Sequence, residues 1–263
     1  MRGAALAVAA AALALPAIAA ADPPPSGIVH PSVPPGTPLK ELGYQLYAGN
    51  CSSCHGSHGE GVNPPRAGEA AGAVEAAGPP LRNVGALAAD FYLRTGYMPL
   101  NHPDAQPRRS RVLFSSRELD ALIAYVASLG NGPPIPKPHP ERADVAAGLH
   151  AFTVHCAGCH QIVAEGGIVT GGVVPPLDRA TPVQIAEAVR VGPFLMPRFS
   201  KQAIGDDELD AIIAYVQYAR NPDDRGGWAL GHLGPVPEGM VAWLLAGAIL
   251  VAMCLVLAER LRR

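Results

Sequence analysis

The sequence predicts an all-α protein: two copies of one small helical unit in tandem, followed by a single membrane helix. Three observations carry this. The pattern Cys-x-x-Cys-His occurs twice, as Cys51-Ser52-Ser53-Cys54-His55 and as Cys156-Ala157-Gly158-Cys159-His160. The stretch Glu118 to Val126 returns as Glu208 to Val216, with Leu122 against Ile212 as the difference. Met240 to Ala258 runs without a charge and is followed by Glu259-Arg260-Leu261-Arg262-Arg263.

Each Cys-x-x-Cys-His has the spacing of a covalent c-type haem site. Two thiols three residues apart lie on one helical turn and reach the two vinyl groups of one haem. The next histidine lies where its imidazole can meet the iron. Cys51, Cys54, Cys156 and Cys159 are therefore the expected attachment residues of two haem c groups, with His55 and His160 as axial ligands. A zinc site would pool the four cysteines around one metal. A redox dithiol or a plain disulfide would give no reason for the histidine in both copies. The fifth cysteine, Cys254, sits in the terminal apolar run.

The sixth iron ligand is sought among five methionines. Met1 is the first residue, and Met240 and Met253 lie in the terminal run. That leaves Met98-Pro99 and Met196-Pro197, one after each motif. Proline biases the residue before it towards extended geometry, which suits a loop methionine held against a haem face. The alternative is a methionine filling a gap in the core. Histidines His58, His102 and His155 are rivals, but none recurs at an equivalent place in both halves. His/Met ligation raises the reduction potential and closes the iron to oxygen and peroxide. The pattern thus points to an electron carrier with no catalytic residue of its own, rather than to a dihaem peroxidase, which needs an open iron, or a thiol–disulfide protein.

In chain order, residues 1–21 form an alanine-rich secretory signal with cleavage expected after Ala19 or Ala21. Residues 22–37 are a proline-rich spacer whose expected role is reach rather than packing. The first domain is read as 38–130. Thr37 is expected to cap a helix with Pro38 at its first position and Leu39, Leu42 and Leu46 on its apolar stripe. A short helix is expected over about Leu87–Arg94. Ser115 and Glu118 form a capping box for a closing helix that buries Leu119, Leu122, Ile123 and Val126. Arg108, Arg109 and Arg111 make a basic run that either steers an acidic partner or is a solvated loop.

Residues 131–142, rich in proline, are a hinge, and the second domain is 143–221. Gly43 and Tyr47 precede Cys51 at the offsets at which Gly148 and Phe152 precede Cys156. A glycine beside an aromatic lets another helix cross closely. Pro79-Pro80-Leu81 is answered by Pro175-Pro176-Leu177. The separation from His to Met is 43 residues in the first half and 36 in the second, so the halves are repeats that differ in their loops. Residues 222–239 form a linker. The span 240–258 is roughly 28 Å long as a helix, close to a bilayer core. The arginines of 259–263 belong on the cytoplasmic side, which puts the haem domains on the outer face of the cell membrane. A formal net charge of −2 gives no reason to expect nucleic acid.

Each half resembles a class I cytochrome c domain. That family crosses the helix before the motif with its last helix and supports the histidine with a proline, here mapped to Pro80 and Pro176. The whole chain resembles the dihaem cytochrome c subunit of actinobacterial cytochrome bc1 complexes. Gly231 to Met240, Ala105-Gln106-Pro107-Arg108 and Met196-Pro197-Arg198-Phe199-Ser200 carry the resemblance beyond the motifs. The resemblance implies a subunit of a quinol–cytochrome-c reductase, itself an electron carrier. Its partners would be a cytochrome b subunit, a Rieske iron–sulfur subunit as donor, and an aa3-type cytochrome c oxidase as acceptor in a supercomplex. The alternative is an electron-transfer subunit of another dehydrogenase or terminal oxidase.

Overall fold

The computed structural model describes residues 27–63, 78–100, 108–222 and 235–262. The expected signal segment 1–21, much of the loop after the first motif, His102, Ala105–Pro107 and most of the linker 222–239 lie outside them. The described residues are mostly helical. The first half contains α1 (Leu39–Asn50), α2 (Ser52–His55), α3 (Gly85–Arg94) and α4 (Ser116–Ala127). Then come α5 (Val145–His155), α6 (Ala157–His160), a hairpin of β1 (Gly167–Val169) and β2 (Gly172–Val174), α7 (Pro182–Val191), α8 (Asp206–Arg220) and α9 (Pro235–Arg262).

Two crossings organise the halves: α1 packs on α4, and α5 packs on α8. A Cβ at Gly43 would lie 2.0 Å from the Ala121 carbonyl oxygen, and one at Gly148 would lie 2.0 Å from that of Ala211. Only glycine permits either contact. Beside each crossing two rings meet at a tilt, Tyr47 and Tyr125 with centroids 5.0 Å apart and Phe152 and Tyr215 at 5.3 Å. Leu42, Leu46, Leu119, Leu122, Ile123 and Val126 are buried as expected, whereas Leu39 is exposed.

The capping box of α4 forms: Glu118 N donates to Ser115 Oγ, and Ser115 N donates to Glu118 Oε2 at 2.8 Å. At α1 the expectation is off by one residue. Pro38 is the N-cap, and Thr37 Oγ1 donates to the Pro34 carbonyl instead. The reading of the spacer as reach alone is also corrected, because residues 28–37 pack along the first half. Ile28 and Val33 cover its core, Val29 and Asn50 exchange hydrogen bonds of 2.7 and 2.9 Å, and His30 Nδ1 pairs with Glu118 at 2.7 Å. Ile28 and Val33, on either side of Pro31, provide that contact, and proline's missing N–H leaves nothing unsatisfied there.

The chain divides into two compact units. One holds the described residues up to 138 together with 181–203, and the other holds 139–180 and 204–262. Residues 181–203, which the repeat assigns to the second half, thus belong to the first unit, where α7 packs on α3. A capping box of Thr181 and Gln184 starts α7. The hinge divides likewise. Asn131 N donates to Asn83 Oδ1, whereas His139 N donates to Asp210 Oδ1. The last helix, α9, has mean hydropathy 2.7 over its apolar window within 239–262, and none of that window is buried.

Candidate functional sites

Helix α1 runs into the first motif, and Cys51 breaks it with φ −124° and ψ −31°. Cys156 breaks α5 with φ −124° and ψ −36°. From there the two turns match bond for bond. Cys54 N and Cys159 N donate to the preceding cysteine's carbonyl at 3.1 Å, and His55 N and His160 N donate to the same carbonyls at 2.9 Å. Each turn therefore presents two sulfurs and one imidazole from five residues. Burial, then the neighbouring cysteine, pushes the Cys51 and Cys156 thiols up to about 12. Such thiols are poor nucleophiles for disulfide exchange.

His55 Nδ1 lies 2.8 Å from the Pro79 carbonyl. A carbonyl only accepts, so Nδ1 carries the proton and Nε2 keeps the lone pair that a metal would take. His160 is buried. Burial pulls its imidazole below the ordinary value, opposed by the Pro175 carbonyl, which faces Nδ1 without closing a hydrogen bond of good geometry. The supporting carbonyls thus come from Pro79 and Pro175, one residue before the prolines that sequence comparison chose. In a Pro-Pro pair only the three-dimensional path of the loop decides which carbonyl faces the ring. Two sulfurs on one turn beside an imidazole, held at Nδ1 in the first half and buried in the second, is a donor set that fits a covalently attached haem.

The rival histidines fit less well. His58 is exposed, its backbone tied to Glu60 at 2.7 Å. His155 Nε2 lies 3.5 Å from Glu208.

The first domain matches the family model described as cytochrome c over residues 41–130. Residues 143–216 match that of cytochrome c oxidase, cbb3-type, subunit III. A cytochrome bc1 complex cytochrome c subunit of Corynebacterium diphtheriae is 35% identical over 84% of this chain and 81% of its own length. Relatives of the same name from Mycobacterium bovis and Mycobacterium leprae are 33% and 32% identical over 84% of this chain. The chain belongs to this family of cytochrome bc1 complex cytochrome c subunits. It is thus an electron-transfer subunit of an oxidoreductase complex with two cytochrome c domains, and α9 is its candidate membrane anchor.

Within this family member the two methionines sit in loops. Met98 follows α3, and its N–H donates to the Tyr92 carbonyl at 3.1 Å. Phe91, Tyr92 and Tyr97 form a ring cluster around that loop, with centroids 5.3 to 6.4 Å apart. Burial raises both tyrosines, so their hydroxyls stay protonated at neutral pH. Met196 follows α7, with its N–H on the Pro193 carbonyl at 3.0 Å. Among the described residues no aromatic cluster answers the first one there. Phe194 and Leu195 are exposed instead. Met98 lies in the unit that holds His55. Met196 also lies in that unit, while His160 lies in the other.

Sequence reading missed the polar network on α3. Asp90 pairs with Arg94 at 2.7 Å, Arg94 reaches Asp120 of α4, and Arg109 donates to Gln184 of α7 at 3.0 Å. Asp90 and Arg94, one helical turn apart, were a readable signal. Arg108, Arg109 and Arg111 are all exposed, and Arg109, the middle of the basic run, is tied to α7 by that bond.

Proposed function

We propose that this chain is the membrane-anchored dihaem cytochrome c subunit of a cytochrome bc1 complex. It takes electrons from a Rieske iron–sulfur subunit after menaquinol oxidation at cytochrome b and passes them to an aa3-type cytochrome c oxidase. Cys51 and Cys54 hold one haem c by thioether bonds, with His55 and Met98 as axial ligands. Cys156 and Cys159 hold the other, with His160 and Met196. The haem iron supplies one-electron cycling between ferric and ferrous states.

The protein's own part is to hold the His55 imidazole at Nδ1 and bury that of His160, to keep the sulfurs on one turn and to close the ligand shell with a thioether. A neutral thioether favours the reduced state and leaves no open position for a substrate. The helix α9 keeps both domains at one membrane surface, and the terminal arginines favour a cytoplasmic C-terminus. The domain limits 38–130 and 143–221 describe the repeat of chemistry along the chain. The observation that carries the proposal is the pair of matching Cys-x-x-Cys-His turns on one tethered chain. The likeness over 84% of the chain to relatives named as bc1 subunits supports the assembly.

The test is a gentle-detergent purification through a C-terminal tag, read by haem spectra and by the co-purifying subunits. A cytochrome b and a Rieske protein in the eluate are expected. A different dehydrogenase or oxidase would overturn the partner assignment and leave the haem assignment standing. The ligand assignment is tested by Met98→Ala and Met196→Ala. Each should lower the potential of one haem only and abolish its thioether-to-ferric charge-transfer band. Two unchanged spectra would sink it.

A further inference from the structure

Glu187 is a charged residue type with no solvent exposure, on the face of α7 that packs against α3. Neither of its carboxyl oxygens closes a hydrogen bond of good geometry. Its neighbour across the packing is Asp90, itself buried and paired with Arg94. Around the pair stand Arg94 and Asp90 from α3, Asp120 from α4 through Arg94, and Arg109 through Gln184 one turn earlier on α7. Arg190, on α7 itself, is turned to the carbonyls of Phe199 and Ser200 in the following loop. Ile185, Ala186 and Val189 supply the apolar part of the contact. Nothing in electron transfer uses this carboxyl, and burying it unpaired is expensive.

We propose that Glu187 is a positioning residue: a proton-carrying carboxyl that docks α7 on α3 beside Asp90 and so sets the loop bearing Met196. The Met196 part rests on reading that residue as a haem ligand. Phe199 N donates to the Val189 carbonyl at 2.9 Å, and Arg190 holds the carbonyls of Phe199 and Ser200, so the loop is tied back to α7. A shift of α7 therefore moves the loop.

Burial first, then the Asp90 carboxylate, pushes the Glu187 carboxyl up from 4.5 to about 9. The docked helix holds a proton that the undocked helix loses, so undocking releases one proton. Docking is strongest below the undocked value of 4.5. It weakens as pH rises and levels off above about 9. Between those limits its equilibrium constant falls about tenfold per pH unit.

The experiment is amide hydrogen exchange of residues 182–191 in the full haem-loaded chain, corrected for intrinsic rates, at about pH 6 and about pH 8. Wild-type protection should fall about a hundredfold between them, one proton's worth over two pH units. Glu187→Gln should flatten that dependence and leave α7 better protected than wild type at the higher pH. Protection with the same pH slope in both proteins would overturn the proposal. So would a wild type with no slope. The charge-transfer band of the second haem is read in parallel. It should weaken with pH in wild type and not in Glu187→Gln. Met196→Ala separates the two claims: it should remove that band at every pH while α7 keeps its pH-dependent protection. A band that survives Met196→Ala defeats the ligand reading alone.

Discussion

The residues after the two histidines follow the same path with different side chains. In the six residues after His55 the positions of positive φ are Gly56, Gly59 and Gly61, with φ of 79°, 69° and 83°. At the same offsets in the second half stand Gln161, Ala164 and Gly166, with φ of 59°, 61° and 72°. The hydrogen bonds agree: Gly61 N and Gly166 N reach the histidine carbonyl at 2.8 and 3.0 Å, and Leu81 N and Leu177 N reach the carbonyls of Gly59 and Ala164 at 2.9 Å. An L-residue at such a positive φ costs about 1–3 kcal/mol, whereas glycine tolerates it. The loop is thus imposed by closure on the histidine turn and by the Pro-Pro-Leu segment, and residue preference is secondary. The supporting polar contacts also differ. Tyr47 OH donates to the Gly56 carbonyl at 2.7 Å, whereas Phe152 has no hydroxyl and Tyr215 OH donates instead to the Ile162 carbonyl at 2.5 Å.

If the halves are equivalent where helices cross, Gly43→Ala and Gly148→Ala should be the most damaging changes and comparable to each other. A methyl group cannot share space with a backbone carbonyl oxygen 2.0 Å away. Each should cost about 3 kcal/mol or more, the upper end of overpacking penalties, read as a lowered denaturant midpoint of its own half. A large loss in one half and none in the other would break the equivalence.

Tyr47→Phe writes the second half's residue into the first. It should cost about 1–3 kcal/mol, because the buried Gly56 carbonyl loses the donor that Tyr47 supplies. Equilibrium unfolding followed by haem absorbance measures it. A neutral result would mean that the hydroxyl is dispensable in both halves.

The smallest effect is expected from Gln161→Gly, which writes the first half's residue into the second. Relief of the positive-φ strain outweighs the added freedom of the unfolded chain by roughly 0.5–1 kcal/mol. Thermal unfolding should show a modest rise, with Gly56→Ala showing the opposite sign. A fall on Gln161→Gly would show that the glutamine side chain earns its place by contacts that outweigh its backbone strain.

Much of the molecule was legible from local pattern. The two Cys-x-x-Cys-His turns, the capping box of Ser115 and Glu118, the apolar faces of α1 and α4 and the close crossings at Gly43 and Gly148 are encoded within a few residues of chain. The box of Thr181 and Gln184 was legible too and went unread. Others were not local. Which proline carbonyl faces His55, whether Ile28 and Val33 pack or dangle, and where α7 rests depend on residues far away in sequence.

The sequence by itself determined the chemistry. A thiol pair and an imidazole on one turn follow from spacing, because a helix advances by a set amount per residue. An uncharged run of nineteen residues is likewise long enough for a bilayer whatever surrounds it. Tertiary structure alone decided the supports. The Pro79 carbonyl, the tie between Tyr47 and Gly56, and the burial of Glu187 beside Asp90 each join segments whose separation along the chain says nothing about their distance in space. Packing selects such contacts by the summed burial of whole helix faces, which no short stretch of sequence contains.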